Sequence, residues 1–347
     1  MARDLARDPE LSVSAADARP DALRALKERA AEEGASIRTL PLDLADPGSL
    51  ARALDGHDLA IGAVPGPMGF ETVRRVLQAG LDIVDISFFE EDALELDDLA
   101  RKRGRTAIVD AGVAPGLSNL VLGRTEAEWE TTTRFACWVG GLPVMRRWPF
   151  EYKAPFSPID VIEEYTRAAR YVQNGAVVTK EALSDPELIH FDGLGTLESW
   201  NSDGLRSLIR TMPDVPDMIE KTLRYPGCIE YLRVLRESGF FSYDEIEVNG
   251  MRIRPIDVTS RLLFPKWKLK PGDEEFTVMR IRIRAPYRRI FELAADVERW
   301  PERLEHYRYV RRVPTGAAEP GERHFAMGAR RGPIPVRWSA LQRPMED

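Results

Sequence analysis

The sequence predicts an α/β fold: a parallel sheet with crossover helices, then an α+β domain and a short α+β tail. Three observations carry this expectation. Between residues 11 and 109, short apolar runs alternate with segments of helical spacing, the pattern of parallel strands joined by helices. Thr106–Asn119 (TAIVDAGVAPGLSN) reads as a buried strand, a glycine turn and a helix start, which is how such a sheet presents a site at the carboxyl end of a strand. After residue 120 the alternation gives way to hairpins and aromatic-rich turns, which suit a mixed domain.

The elements follow in order. Residues 1–10 suggest a helix stopped at Asp8-Pro9. Leu11–Ala15 alternates as a short strand, with Asp17 at its end. Residues 20–33 form an amphipathic helix with Leu23, Leu26 and Ala30 on one face. Ser36–Pro41 is a strand, Pro47–Leu54 a helix, and Asp58–Val64 a buried strand closed by Pro65-Gly66-Pro67. Phe70–Ala79 is a helix, Asp82–Ile86 a strand, Asp92–Arg103 a helix, and Ala107–Val109 the strand of the central stretch.

A strand over Thr132–Val139 turns out at Gly140-Gly141-Leu142-Pro143. Asp160–Arg170 is a helix, Tyr171–Thr179 a hairpin about Asn174-Gly175, and Glu187–Phe191 a strand. Asn201-Ser202-Asp203-Gly204 precedes a helix. That helix start would bind a carboxylate or serve as a plain N-cap. Glu220–Arg224 is a strand and Gly227–Ser238 a helix; strands follow around 245–248, at Met251–Arg254 and at Glu275–Ile283.

The 347 residues exceed one compact core. No apolar run is long enough to cross a bilayer, and the charged start MARDLARDPE lacks the apolar core of a signal peptide. Two cysteines, Cys137 and Cys228, make no disulfide framework, so a cytoplasmic location is expected. The net charge of −7 makes no case for nucleic acid. Residues 284–347 are the basic exception, with 13 arginines against nine acidic residues, a pattern of a solvated surface more than of a phosphate site. The four histidines show no metal spacing, and no metal is expected.

A dinucleotide-binding sheet opens with a strand, G-x-G-x-x-G and a helix, and places an acid about 20 residues later on the ribose. No G-x-G-x-x-G occurs in residues 1–60. Met1–Ala6 reads as the back half of that first helix, and Asp17 stands where the ribose acid belongs. The expectation is an incomplete Rossmann-type sheet lacking its first strand and glycine loop. Asp17 is then the ribose acid, favouring NAD with NADP as the alternative, or else a strand-end cap.

VDAGVAPGLSN (109–119), WVGGLP (138–143), FEYKAPFSP (150–158), GTLESW (195–200), KTLRYPG (221–227) and VNGMRIRPIDV (248–258) together resemble the saccharopine dehydrogenase (saccharopine reductase-like) family, in its lysine 6-dehydrogenase-like branch. The resemblance covers residues 1–283. It implies a Rossmann domain (1–122), an α+β substrate and oligomerisation domain (123–283), and nicotinamide-dependent oxidation or reduction at a carbon–nitrogen bond of an amino acid, in a homo-oligomer. It implies that Pro65, Ser87, Gly112, Val113, Pro115 and Gly116 border the nicotinamide, and that 150–158 and 221–227 face the substrate. Ala114 replaces the Asp of the saccharopine-forming branch, which points to a simpler amine. Lys153 replaces a less basic residue of the lysine-oxidising branch.

Oxidising an amine needs its neutral form, so a base must take a proton. Lys153, beside Tyr152 and Phe156, is the candidate if burial lowers its pKa, and is otherwise a surface lysine. Tyr152 accompanies it as a catalytic candidate. Arg224, on an alternating strand, would clamp a substrate carboxylate or form a structural ion pair. Glu151 or Glu198 would hold a distal ammonium, and Asn201 stands at the helix start described above.

The tail departs from that family. Phe291, Leu293, Ala294, Val297 and Trp300 recur at helical spacing, and 324–341 alternates as two strands about Gly332-Pro333. Residues 284–347 resemble the start of a START-like polyketide cyclase or lipid-transfer domain. Two rival readings therefore stand beside the enzyme: a non-catalytic remnant kept as an oligomerisation scaffold, and an apolar-ligand binder acting through the tail.

Overall fold

A computed structural model describes residues 1–44, 46–129, 131–270, 272–286, 296–303, 307–313, 323–331 and 334–342. The chain divides into two compact units, 1–123 with 135–282, and 124–134 with 283–347.

The first part of the larger unit is built of α1 (Ala2–Leu5), β1 (Ser14–Asp17), α2 (Pro20–Glu32), β2 (Arg38–Pro41), α3 (Pro47–Leu54), β3 (Leu59–Gly62), α4 (Gly66–Ala79), β4 (Asp82–Asp85), α5 (Asp97–Arg103), β5 (Ala107–Ile108) and the start of α6 (Leu117–Trp129). Helix starts follow local chemistry. Pro20 opens α2, and the Asp46 side chain accepts from Gly48 N to cap α3. Gly80 and Gly104 end α4 and α5 in the left-handed conformation that glycine adopts freely.

β1 pairs with β2 in parallel, and β3, β4 and β5 form a separate three-stranded parallel sheet. Ile83 packs with Val73, Val76 and Leu77 of α4, and with Ala60 and Ala107 at the edge of that cluster. The opposite face differs from the buried strands expected at 58–64 and 107–109. Leu59, Ile61 and Ile108 are 51%, 41% and 54% exposed, because α4 and its cluster cover one face only.

The second part runs β6 (Arg134–Pro143), α7 (Pro158–Thr166), β7 (Ala169–Gln173), β8 (Ala176–Lys180), β9 (Glu187–Phe191), β10 (Gly195–Asn201), α8 (Leu208–Thr211), β11 (Met218–Arg224), α9 (Cys228–Glu237), β12 (Ile246–Val248), β13 (Met251–Ile253), α10 (Pro255–Trp267) and β14 (Glu275–Arg284). Its sheet has the order β14-β6-β11-β10-β9, with β7 on β11 and β8 on β7. β6 and β11 are parallel, and β10 is antiparallel to β9 and β11. Tyr165, Trp200, Ile229, Leu232 and Trp267 form one core, and Leu142, Leu197 and Leu223 another.

Several expectations are corrected. Gly140 to Pro143 continue β6 instead of turning. A Cβ on Gly140 would lie 2.5 Å from the Leu223 carbonyl oxygen, so this glycine permits close strand approach. The helix from 160 ends at Thr166, and Ala169 begins β7. Residues 195–201 are a strand, and α10 fills a stretch left unassigned by pattern. β11 does not alternate: all its residues but Ile219 are buried, since it is central in the sheet.

In the smaller unit, α11 (Trp300–Arg303) precedes β15 (Tyr307–Arg312), β16 (Arg323–Arg331) and β17 (Ile334–Gln342), an antiparallel sheet. Phe291, Leu293, Ala294 and the Gly332-Pro333 turn lie outside the described residues. No helix among the described residues is long and apolar enough to cross a membrane.

Candidate active site

Asp17, Pro65, Ser87 and the 110–116 loop all follow the carboxyl ends of parallel strands, β1, β3, β4 and β5 respectively. That edge of an α/β sheet is where ligands bind. The loop is held in a tight form. Ala111 N donates to Asp85 O at 3.0 Å and Leu117 N to Gly112 O at 3.0 Å. Gly116 has φ +142°, and a Cβ there would come 1.9 Å from Gly112 O, so only glycine closes the loop. Val113 at its tip is 51% exposed, and the Ala114–Pro115 peptide is cis.

Beneath the loop lie two aspartates. Ser87 donates from N and Oγ to Asp85 at 2.9 and 3.1 Å. Burial nevertheless pushes the Asp85 carboxyl up to about 6, with Asp110 adding to the effect. Asp110 accepts from Ser207 N at 3.0 Å, and its Oδ1 has no hydrogen-bond partner among the described residues. The Arg206 guanidinium lies 3.8 Å from Asp110 and 3.7 Å from Asp203. It is stacked over Phe88 and Phe89. Burial lowers the Arg206 pKa against the pull of those two carboxylates. Arg170 grips Asp203 through two bonds of 2.9 and 2.7 Å. The loop after β10 therefore meets the β3-β4-β5 sheet through charges at this edge.

Farther in, β11 carries Glu220, Thr222 and Arg224 on one face, two residues apart. Glu220 is buried with Oε2 unpartnered, and a Cβ on Gly204 would lie 1.7 Å from its Oε1. Burial pushes Glu220 up to about 8, helped by Glu164, Asp110 and Asp203. Thr222 Oγ1 bonds Ser202 Oγ at 2.8 Å. Arg224 sits 4.1 Å above the Tyr152 ring and 5.2 Å from Trp200. Its Nη2 donates to Glu164 at 2.9 Å and Tyr165 OH at 3.3 Å. Arg224 Nε, Tyr152 OH and Trp200 Nε1 have no hydrogen-bond partner among the described residues. With Trp267 Nε1, whose ring packs on Tyr152 and Tyr165, four buried donors of this aromatic core are without acceptors among the described residues.

The remaining sequence candidates scatter. Of the Tyr152–Lys153 pair only Tyr152 enters the box. Lys153 Nζ donates to the carbonyls of Lys266 at 2.8 Å and Lys268 at 3.3 Å, which ties β6's following loop to the end of α10. Lys153→Met is expected to lower unfolding free energy by about 2 kcal/mol in urea titration, whereas a purely catalytic lysine would leave stability unchanged. Glu151 pairs with Arg146 at 2.7 Å. Glu198 accepts from Gly227 N at 2.9 Å. Asn201 ends β10 and donates to Ser184 and Asp185. The helix-start role for Asn201 is corrected: α8 has four residues and begins at Leu208, too short and too distant to offer Asn201 its dipole. Phe156 faces a different cleft, shared with Arg19. Asp17 accepts from Arg19 N at 2.8 Å and Nε at 3.3 Å. Pattern reading passed over Asp85, Asp110, Arg206 and Glu220. A signal was present, because each aspartate directly follows a strand run and Glu-x-Thr-x-Arg (220–224) puts three polar groups on one strand face.

Residues 112–304 match the family model of the saccharopine dehydrogenase C-terminal domain, and residues 1–108 match that of its NADP binding domain. The chain belongs to the saccharopine dehydrogenase family. Among its relatives, the saccharopine dehydrogenase [NADP(+), L-glutamate-forming] of Pyricularia oryzae is 26% identical over 220 residues, 59% of this chain and 48% of that protein. The mitochondrial alpha-aminoadipic semialdehyde synthase of Bos taurus is 24% identical over 200 residues, 54% of this chain and 22% of that protein. This saccharopine dehydrogenase family chain thus spans about half the length of the first of these. The apo structure of saccharopine dehydrogenase (L-Glu forming) from Saccharomyces cerevisiae superposes with a TM-score of 0.60 at 18% identity, covering 81% of this chain and 78% of that one. The fold is therefore the mixed α/β architecture of that family, with its Rossmann-like domain.

Proposed function

We propose that the chain is an NADP- or NAD-dependent oxidoreductase acting on the carbon–nitrogen bond of an amino-acid substrate. The observation that carries this reading is the meeting of the 110–116 loop, at the carboxyl end of β5, with the buried Asp110–Arg206–Asp203 contacts of the second domain. A family match to an NADP binding domain over 1–108 supports the cofactor.

The residues present suit the group at both ends of the dinucleotide. Asp17 and Arg19, at and just past the end of β1, would take the ribose end, and Pro65, Ser87 and Gly112–Gly116, after the carboxyl ends of β3, β4 and β5, would take the nicotinamide end. When bound, the nicotinamide exchanges a hydride with the amine carbon. The chain's own groups do the rest. The orphaned donors Arg224 Nε, Tyr152 OH and Trp200 Nε1 suit a carboxylate, which supplies acceptors only. Asp85 and Ser87 handle the proton released as the amine becomes an imine. The Asp85 carboxyl, pushed up to about 6, is a base above that pH.

The domain bounds 1–122, 123–283 and 284–347, the homo-oligomer and the START-like tail belong to this proposal. The antiparallel β15-β16-β17 sheet supports the last. The test is oxidation of an amino-acid panel (saccharopine, lysine and simpler diamino acids) followed by NADPH or NADH absorbance. Turnover with one of them, falling as pH drops below about 6, is the expected result. Absence of turnover in both directions with every member would refute it.

A further inference from the structure

A second recess lies away from the aromatic box. Arg19, Ala154, Phe156, Phe264, Pro265 and Lys268 line a cleft of about 610 Å³, within the usual size of a small-molecule site. Its walls are mostly apolar, with Phe156 45% exposed. Its two charged lining residues are both cations. Arg19 stands two residues past the end of β1 and is 71% exposed. Its bonds to Asp17, at 3.3 and 3.4 Å, are long for a charged pair, so the guanidinium fork can turn toward a stronger acceptor. Lys268 is exposed and has no carboxylate within 4.0 Å among the described residues. Asp17, Arg19 and Lys268 together leave one net positive charge at the mouth.

The Lys268 side is fixed from behind. Lys153 Nζ holds the carbonyls of Lys266 and Lys268, and Ala154 N donates to Trp267 O at 2.9 Å. The C-terminal end of α10 is therefore presented to the cleft in a set position, with Phe156 and Phe264 in its lining. A mostly apolar cleft lined by two cations and two phenylalanines suits a purine bearing a phosphate.

We propose that this cleft seats the 2′-phosphoadenosine end of NADP, and that Lys268, contributed by the second domain, is the residue that selects NADP over NAD. This rests on the dinucleotide reading given above. Asp17 alone would repel a 2′-phosphate. Arg19 neutralises it and Lys268 adds the remaining charge, which is absent from the strand end itself. Lys153 acts as a positioning residue for Lys268.

The test is calorimetric titration of the full chain with 2′,5′-ADP and with 5′-ADP, before and after Lys268→Ala and Lys268→Arg. Lys268 is exposed, so neither variant should disturb folding, which the thermal midpoint checks. The expected result is 2′,5′-ADP binding at least about tenfold tighter than 5′-ADP. Lys268→Ala should remove that preference, leave 5′-ADP unchanged, and be rescued by Lys268→Arg. Equal binding of the two nucleotides, no effect of Lys268→Ala, or no binding of either overturns the proposal. NADP binding that ignores Lys268 would sink this assignment and leave the dinucleotide reading standing. Lys268-dependent 2′,5′-ADP binding without turnover on any amino acid would do the reverse.

Discussion

Arg224→Met is expected to destabilise the larger unit by about 3 kcal/mol, the largest single-site loss among the site residues. The guanidinium is 2% exposed, lies over the Tyr152 and Trp200 rings and pairs with Glu164 at 2.9 Å. Methionine keeps the apolar stem in the aromatic box and deletes the charge. Glu164, only 18% exposed, is then left as a carboxylate without its cation, a configuration that costs more than the pair itself contributes. Burial already pushes the Glu164 carboxyl up while Arg224 pulls it down. Losing Arg224 should raise it further. Urea unfolding at neutral pH measures the loss. The double variant with Glu164→Gln should recover about 1 kcal/mol or more, because neutral glutamine needs no counter-charge. A single-variant loss below about 0.5 kcal/mol would mean the pair is no better than a solvated one and the box is not closed. The same variant should weaken substrate binding, as the orphaned Nε goes with the rest of the head group.

Glu220→Gln should change the pH dependence of stability, the second large effect. The Glu220 carboxyl is pushed up to about 8 by burial, from an ordinary value of 4.5. Between those two pH values the folded chain keeps a proton that the unfolded chain releases. Stability contributed by the protonated form is therefore full below about 4.5 and is lost as pH rises toward 8, by up to about 1.4 kcal/mol per pH unit. Glutamine imitates the protonated acid at every pH. The variant should stay within about 1 kcal/mol of the parent at pH 5 and exceed it by about 4 kcal/mol at pH 8.5, read from thermal midpoints at the two pH values. Parallel profiles for the two proteins would show that Glu220 is not held protonated. Gly204 is part of the same arrangement, since any side chain there would occupy the place of the Glu220 carboxyl.

The central stretch shows how far local pattern reaches. Asp110 to Gly116 was legible as a strand-end loop, because a short apolar run followed by Gly and Pro-Gly has few other conformations available. Asp17 was legible as the end of a short alternating run. Lys153 was not. Its aromatic neighbours suggested a buried amine, yet adjacent residues on an extended chain point to opposite sides. Tyr152 therefore enters the box while Lys153 turns to the carbonyls of α10. Gly140-Gly141 misled in the same local way: glycines that usually end a strand here let β6 approach Leu223.

The sequence by itself determined the alternation of strands and helices through residue 109, the hairpin at Asn174-Gly175, the family motifs and the loop after β5, but not β10 or α10. These depend on periodicity, turn chemistry and residue identity over a few positions. Only the tertiary structure decided that Glu220 is buried with Oε2 unpartnered among the described residues, that Arg206 lies between Asp110 and Asp203, and that Arg19 and Lys268 line one cleft. Asp110 and Arg206, and Arg19 and Lys268, lie about a hundred residues or more apart in the sequence, and burial, which sets charge states even for the near pair Asp203 and Arg206, is a property of the packed whole and not of any segment.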